Sequence, residues 1–161
     1  MEALQGWHPG EVAVQRRLGF ENAVSDLWRR VGKFMPEQHG LFHSSNLHFI
    51  PLTTVDESGC PWASIMAAAD GSIGFVKSPT PQTLSIAAHL WDGDPLLDTA
   101  VAWSKAKLSG TENSRRFLTA GLGIEFEFST RRRNKFAGRI QDICPLGIIT
   151  RFDLNINEAI G

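Results

Sequence analysis

The residues of this chain that could do chemistry fall into a few short runs. The densest is Arg131-Arg132-Arg133-Asn134-Lys135, four bases and an amide in consecutive positions. Guanidinium groups grip phosphate and carboxylate oxygens in pairs, so the run is a candidate anion site. Successive side chains of a strand point to opposite faces, which lets Arg131 and Arg133 converge while Arg132 turns elsewhere. A solvated charged turn is the competing reading. A second run, Pro61-Trp62-Ala63-Ser64, continues into Ala67-Ala68-Ala69. Small residues on a strand let a flat ligand approach the backbone, and they equally suit a tightly curved sheet. Ser78-Pro79-Thr80 adds hydroxyls at a strand end, where a following helix would offer free N–H groups to an anion. His39 and His43 stand four apart, which places two imidazoles on one helical face. No carboxylate or thiol stands at a matching spacing, so no metal is expected. Nucleophile-elbow, P-loop and complete dinucleotide-binding motifs are absent, and no side chain is singled out as a catalytic acid or base.

These runs need elements to position them. Glu11–Arg17 and Glu21–Phe34 read as helices, the second with Val24, Leu27, Trp28 and Val31 at helical spacing. The period then changes. His48–Val55, Cys60–Ala69 and Ser72–Lys77 read as three strands of an antiparallel meander, joined by turns at Asp56-Glu57-Ser58-Gly59 and Asp70-Gly71. Thr80-Pro81 resembles an N-cap before a helix-initiating proline, which predicts a short helix over Pro81–His89. Trp91–Thr119 is rich in Asp, Gly, Ser and Thr and reads mainly as loop, with a short strand or helix around Leu97–Lys107. Leu122, Ile124, Phe126 and Phe128 alternate with Gly123, Glu125 and Glu127, which predicts a strand burying the apolar set and delivering the chain to the arginines. Two more strands are expected over Phe136–Ile143 and Leu146–Ile156. Five or six short antiparallel strands with peripheral helices, an α+β chain that is mainly β, suggest a small barrel.

With 161 residues and 42% hydrophobic content the chain can bury one core, which excludes disorder and disulfide-scaffold classes. A net charge of −1 provides no global field for nucleic acid or an anionic membrane. The charge is nevertheless uneven. Residues 34–104 carry seven acids and one base, Lys77, whereas the bases gather between Arg115 and Arg139. Cys60 and Cys144 make no metal or redox motif and are read as reduced thiols. No long apolar run and no signal-peptide pattern occurs, so a cytoplasmic, non-membrane protein is expected.

Taken in order, Trp7-His8-Pro9-Gly10-Glu11 with Ala13-Val14-Gln15, Pro51–Asp56, Gly59–Ser64, Ser78-Pro79, Gly123-Ile124-Glu125, Thr130–Asn134 and Gly138-Arg139 resemble the pyridoxamine 5′-phosphate oxidase-related family of FMN-binding split barrels. The likeness spans nearly the whole chain and is nearest a subgroup in which some members carry a reductase domain after the barrel. It implies a six-stranded antiparallel split barrel over residues 46–161, with an N-terminal helical segment, 1–45, packed on it. It also implies a homodimer with FMN in two interfacial clefts. Carried over by position, Trp62, Ala63 and Ser64 would contact the flavin, and Ser78 and Thr80 would meet phosphate or ribityl oxygens. Arg131, Arg133 and Asn134 would supply charge to the phosphate or flavin edge, with Ser64 and the arginines tuning the flavin.

The likeness does not extend to the residues of vitamin B6 oxidation. Ser64 and Ala69 stand where those oxidases have basic groups, and the chain has no Tyr. The function implied is a flavin-dependent oxidoreductase drawing electrons from a nicotinamide or a reductase. The alternative is a non-enzymatic flavin or haem module, or an interaction domain without a cofactor.

Overall fold

The computed structural model describes residues 6–112, 117–125, 130 and 132–161. Its centre is one antiparallel sheet built from β1 (Phe49–Val55), β2 (Pro61–Ala67), β3 (Val76–Thr80), β4 (Thr83–His89), β5 (Leu118–Ile124), β6 (Arg133–Leu146) and β7 (Ile149–Ile160). Hydrogen bonding orders the strands β2-β1-β5-β6-β7-β4-β3. The sheet curls until β2 and β4, far apart in that order, lie against each other without pairing. It is a barrel with a split wall. Long β6 makes the bend possible through register shifts at Ala137/Gly138 and Ile140/Asp142. Gly138 is required there, because a Cβ would lie 2.0 Å from the Asn155 carbonyl oxygen.

Ile50, Leu52, Met66, Leu84, Ile86 and Leu154 fill the interior with no more than 1% exposure. Each such side chain contributes about 1.5–3 kcal/mol on burial. Phe152, Leu154 and Ile156 point inward as their alternation predicts. The architecture is the expected mainly β class with peripheral helices, with seven strands among the described residues rather than six.

Among the described residues four helices dress the sheet: α1 (Pro9–Leu18), α2 (Glu21–Val24), α3 (Glu37–Ser45) and α4 (Pro95–Ser109). The Trp7–Glu11 run is a helix start. The His8 ring accepts from the Gly10 N–H at 3.1 Å, and the Glu11 carboxylate accepts from the His8 N–H at 2.9 Å. The helix predicted over Glu21–Phe34 is instead broken into α2 and a 3₁₀ turn at Leu27–Arg30.

Other expectations are corrected more sharply. Pro81–His89 is not a helix. Pro81 and Gln82 turn a hairpin, and Leu84, Ile86 and Ala88 alternate into the core on a strand held by β3 and β7. Pairing on both sides overrides the local cap signal. The meander also fails, because β3 pairs with β4 at the far edge of the sheet and not with β2. Within Trp91–Thr119 lies α4. The Asp94 carboxylate caps it by accepting from the Leu96 N–H at 2.8 Å, Pro95 opens it, and Gly110 closes it at φ 70°.

In β5 the phase is reversed. Gly121 and Gly123 face inward, while Leu122 and Ile124 face outward; Phe126 and Phe128 lie outside the described residues. The interior above the glycines is already taken. A Cβ on Gly121 would meet the Phe136 ring at 2.2 Å, and one on Gly123 would meet His43 at 2.7 Å. Among the described residues no helix is long and apolar enough to cross a membrane.

Candidate functional site

Helix α3 starts after Pro36, and its buried face carries His39, Gly40, Phe42 and His43. Gly40 lets it sit on β3, since a Cβ there would lie 2.8 Å from the Ser78 hydroxyl. Its other flank meets the start of β6. Between them opens a recess of about 360 Å³ lined by Gln38, His39, Arg132, Arg133, Asn134 and Gly161. The Arg132 guanidinium donates to the Gln38 carbonyl at 3.0 Å and lies 4.7 Å from the centre of the Phe42 ring, so its charge is fixed at the rim. Its backbone N–H donates to the Thr130 hydroxyl, which in turn donates to Glu125.

Two lining groups are buried without a hydrogen-bond partner among the described residues. These are the Asn134 amide nitrogen, on a side chain 2% exposed, and Nδ1 of His39, 7% exposed. A buried unpaired donor costs about 1–3 kcal/mol. Behind them His43 is 1% exposed and neither ring nitrogen makes a well-formed hydrogen bond, though backbone carbonyls of Asn134 and His39 lie near. Burial pushes His43 down to about 4. Burial, and then the Arg132 charge, also hold His39 below the ordinary histidine range. Fixed positive charge with unsaturated donors suits an anion.

The structure brings only some of the expected residues to this place. Arg133 and Asn134 line the recess, and Arg131 lies outside the described residues. Ser78 sits across α3, where its hydroxyl donates to the Thr80 carbonyl at 3.3 Å; the Thr80 hydroxyl donates to Thr83 at 2.9 Å. Both hydroxyls serve the β3–β4 hairpin. Trp62 and Ser64 lie three strands away on the inner face, toward α4. Ser64 is buried and donates to the Asp94 carboxylate at 2.6 Å, which ties β2 to the helix cap. The Trp62 N–H donates to Asp56 at 2.8 Å, and Asp56 also accepts from the Ser58 and Cys60 N–H groups. These bonds, that from Trp62 first, hold the Asp56 carboxyl below its usual range. Ala63 points to the outer face.

That outer face is apolar and small. Register places Ala63, Ile65 and Ala67 of β2 beside Phe49, Pro51 and Thr53 of β1, then Ala120, Leu122 and Ile124 of β5. Arg133 and Lys135 stand on the neighbouring strand, on the same side. Ile65 is 56% exposed. Gln38 and His39 were not expected in an anion site. Their signal was available in the His39–His43 spacing, although among the described residues no third His, Cys, Asp or Glu joins the pair.

No protein-family model matches the chain, and no curated protein does. Among solved structures it is similar to a provisionally named pyridoxamine 5′-phosphate oxidase from Lactobacillus delbrueckii, at 14% identity and a TM-score of 0.49, covering 80% of this chain and 95% of that one. An FMN-binding protein from Syntrophomonas wolfei matches at 9% identity and a TM-score of 0.48, covering 94% and 96%. The styrene monooxygenase flavin reductase of Pseudomonas putida S12 matches at 9% identity and a TM-score of 0.43, covering 75% and 83%. In overall fold the chain is similar to these three proteins.

Proposed function

We propose that the chain binds FMN, with its phosphate in the α3–β6 recess, and acts as a flavin-dependent oxidoreductase in a homodimer. The observation that carries the reading is the buried, unpartnered Asn134 amide in a recess that Arg132 and Arg133 also line, at the mouth of a strand. A phosphate monoester supplies the acceptors that this cluster lacks, in a place where charge-assisted bonds are strong. Arg132 needs no ordering to receive it, because Gln38 and Phe42 already hold the side chain. Arg133 adds charge from the outer side, and Asn134 donates from within.

The small outer face beside Arg133 suits a planar ring system, and a second copy covering it would exclude water from that ring. When bound, the flavin supplies hydride and electron transfer, with a nicotinamide or a reductase as donor. The protein supplies position and charge. Ser64 is not needed for this; it fastens α4.

The test is titration of the purified protein with FMN and with riboflavin, for the parent and for Arg132→Ala and Arg133→Ala, with light scattering in parallel. Loss of a phosphate-binding arginine should weaken FMN by about ten- to a hundredfold, at about 1.4 kcal/mol per decade, and leave riboflavin unchanged. Equal FMN affinity in all three proteins overturns the phosphate site. A Soret band in place of flavin absorption overturns the cofactor, and a monomer in the presence of FMN overturns the assembly.

A further inference from the structure

His39 is more than packing under α3. It lines the recess beside Arg132 and Arg133, it is more than nine-tenths buried, and its Nδ1 faces no partner. We infer that His39 is a phosphate ligand of the recess that enters as a neutral imidazole and takes up a proton from solution when a phosphate monoester binds. The inference rests on the reading of the recess as a phosphate site and assigns the site a residue and a protonation step.

Electrostatics sets the protonation state of His39. In the free protein the charged or titratable side chains placed against His39 are the Arg132 guanidinium, just before β6, and His43 from its own helix, with Arg133 at the outer rim of the recess and the Gly161 backbone, just after β7, close to the ring. None is an anion. Burial and Arg132 both oppose a charge on the ring, so it stays neutral. A phosphate monoester brings a charge of about −1.5 to −2 and several acceptor oxygens into the same recess. That reverses the sign of the field at His39. A protonated ring donates through both nitrogens, and Nδ1 is then no longer an orphan.

Linkage gives the signature. Binding that raises the proton affinity of a group takes up protons, and affinity for the ligand gains as pH falls. A phosphate monoester has its second pKa near about 6, so at about pH 7.5 its own titration contributes little. Proton uptake at that pH reports the protein.

The experiment is calorimetric titration of FMN and riboflavin at about pH 7.5 in two buffers of different protonation enthalpy, for the parent and His39→Asn. The parent should take up several tenths of a proton with FMN and none with riboflavin. His39→Asn should bind FMN without uptake and about tenfold more weakly, a loss of about 1.4 kcal/mol. Histidine ring NMR of the parent covers the case in which the variant does not fold. The His39 resonance should titrate at least one pH unit higher with FMN bound. Tight FMN binding with no uptake and an unmoved resonance overturns the role of His39 and leaves the phosphate site standing. FMN bound no more tightly than riboflavin overturns both.

Discussion

Two helices pack on the same barrel in different ways. At the start of α4 the polar groups close on one another: Ser64 donates to Asp94, Asp94 caps the helix, and Trp62 donates to Asp56, which also holds its own turn, while the Trp103 indole N–H further along the helix is buried without a partner. At α3 they do not. The Asn134 amide, Nδ1 of His39 and both His43 nitrogens lack well-formed partners behind a rim of guanidinium groups. A satisfied buried network is structural cement. An unsatisfied one that also lines an open recess beside fixed charge is the candidate for a ligand. On the proposed reading, the contrast separates the residues that hold this fold from those that would bind the phosphate.

Acid should break the α3 side first. His43 titrates at about 4 in the folded chain against 6.5 when unperturbed. Between those values the unfolded chain carries a proton that the folded chain refuses. Stability therefore rises with pH across the window and is lost as pH falls, by about 3 kcal/mol below it. Urea unfolding at a series of pH values should show this slope, and His43→Leu should flatten it. A parent profile that is already flat sinks the account of that helix.

A smaller loss is expected from Gly123→Ala, whose methyl group enters the space of the His43 ring. Overpacking costs about 1–3 kcal/mol, and FMN affinity should fall with it because α3 must shift. Thermal melts with and without FMN measure both effects. The finest comparison pairs Ser64→Ala with Arg133→Ala. The first removes a buried bond to Asp94 and should cost about 1–2 kcal/mol of stability with FMN affinity unchanged. The second alters an exposed side chain and should stay within about 0.5 kcal/mol in stability while weakening FMN. If the two variants exchange these effects, the division between α4 and α3 is wrong.

Much of the sheet was legible because its strands obey simple alternation. Phe152, Leu154 and Ile156 bury one face as expected, and β1 and β2 fall where their turn residues place them. Pro81–His89 was misread because a Thr-Pro pair serves a hairpin as well as a helix start, and only pairing with β7 decides. The phase of β5 was misread for a related reason. Glycine looked like the solvent side, yet Phe136 and His43 from other elements had already filled the inside.

Of the recess proposed to hold the phosphate, Arg133 and Asn134 stand out in the sequence as neighbours in a basic run. Its other half comes from α3, nearly a hundred residues earlier, and nothing local ties Gln38 or His39 to an arginine run. Ser64 shows the converse. Its sequence context suggested a ligand, while its partner Asp94 lay thirty residues ahead in a stretch read as loop.

The most direct measurement is the ratio of FMN to riboflavin affinity in the parent and in Asn134→Asp, with Ser64→Ala as the reference for the other helix. The parent and Ser64→Ala should favour FMN by about tenfold or more. Asn134→Asp turns the buried donor into an acceptor and should erase that preference. A ratio near one in the parent, or one that survives Asn134→Asp intact, would contradict a phosphate site between α3 and β6.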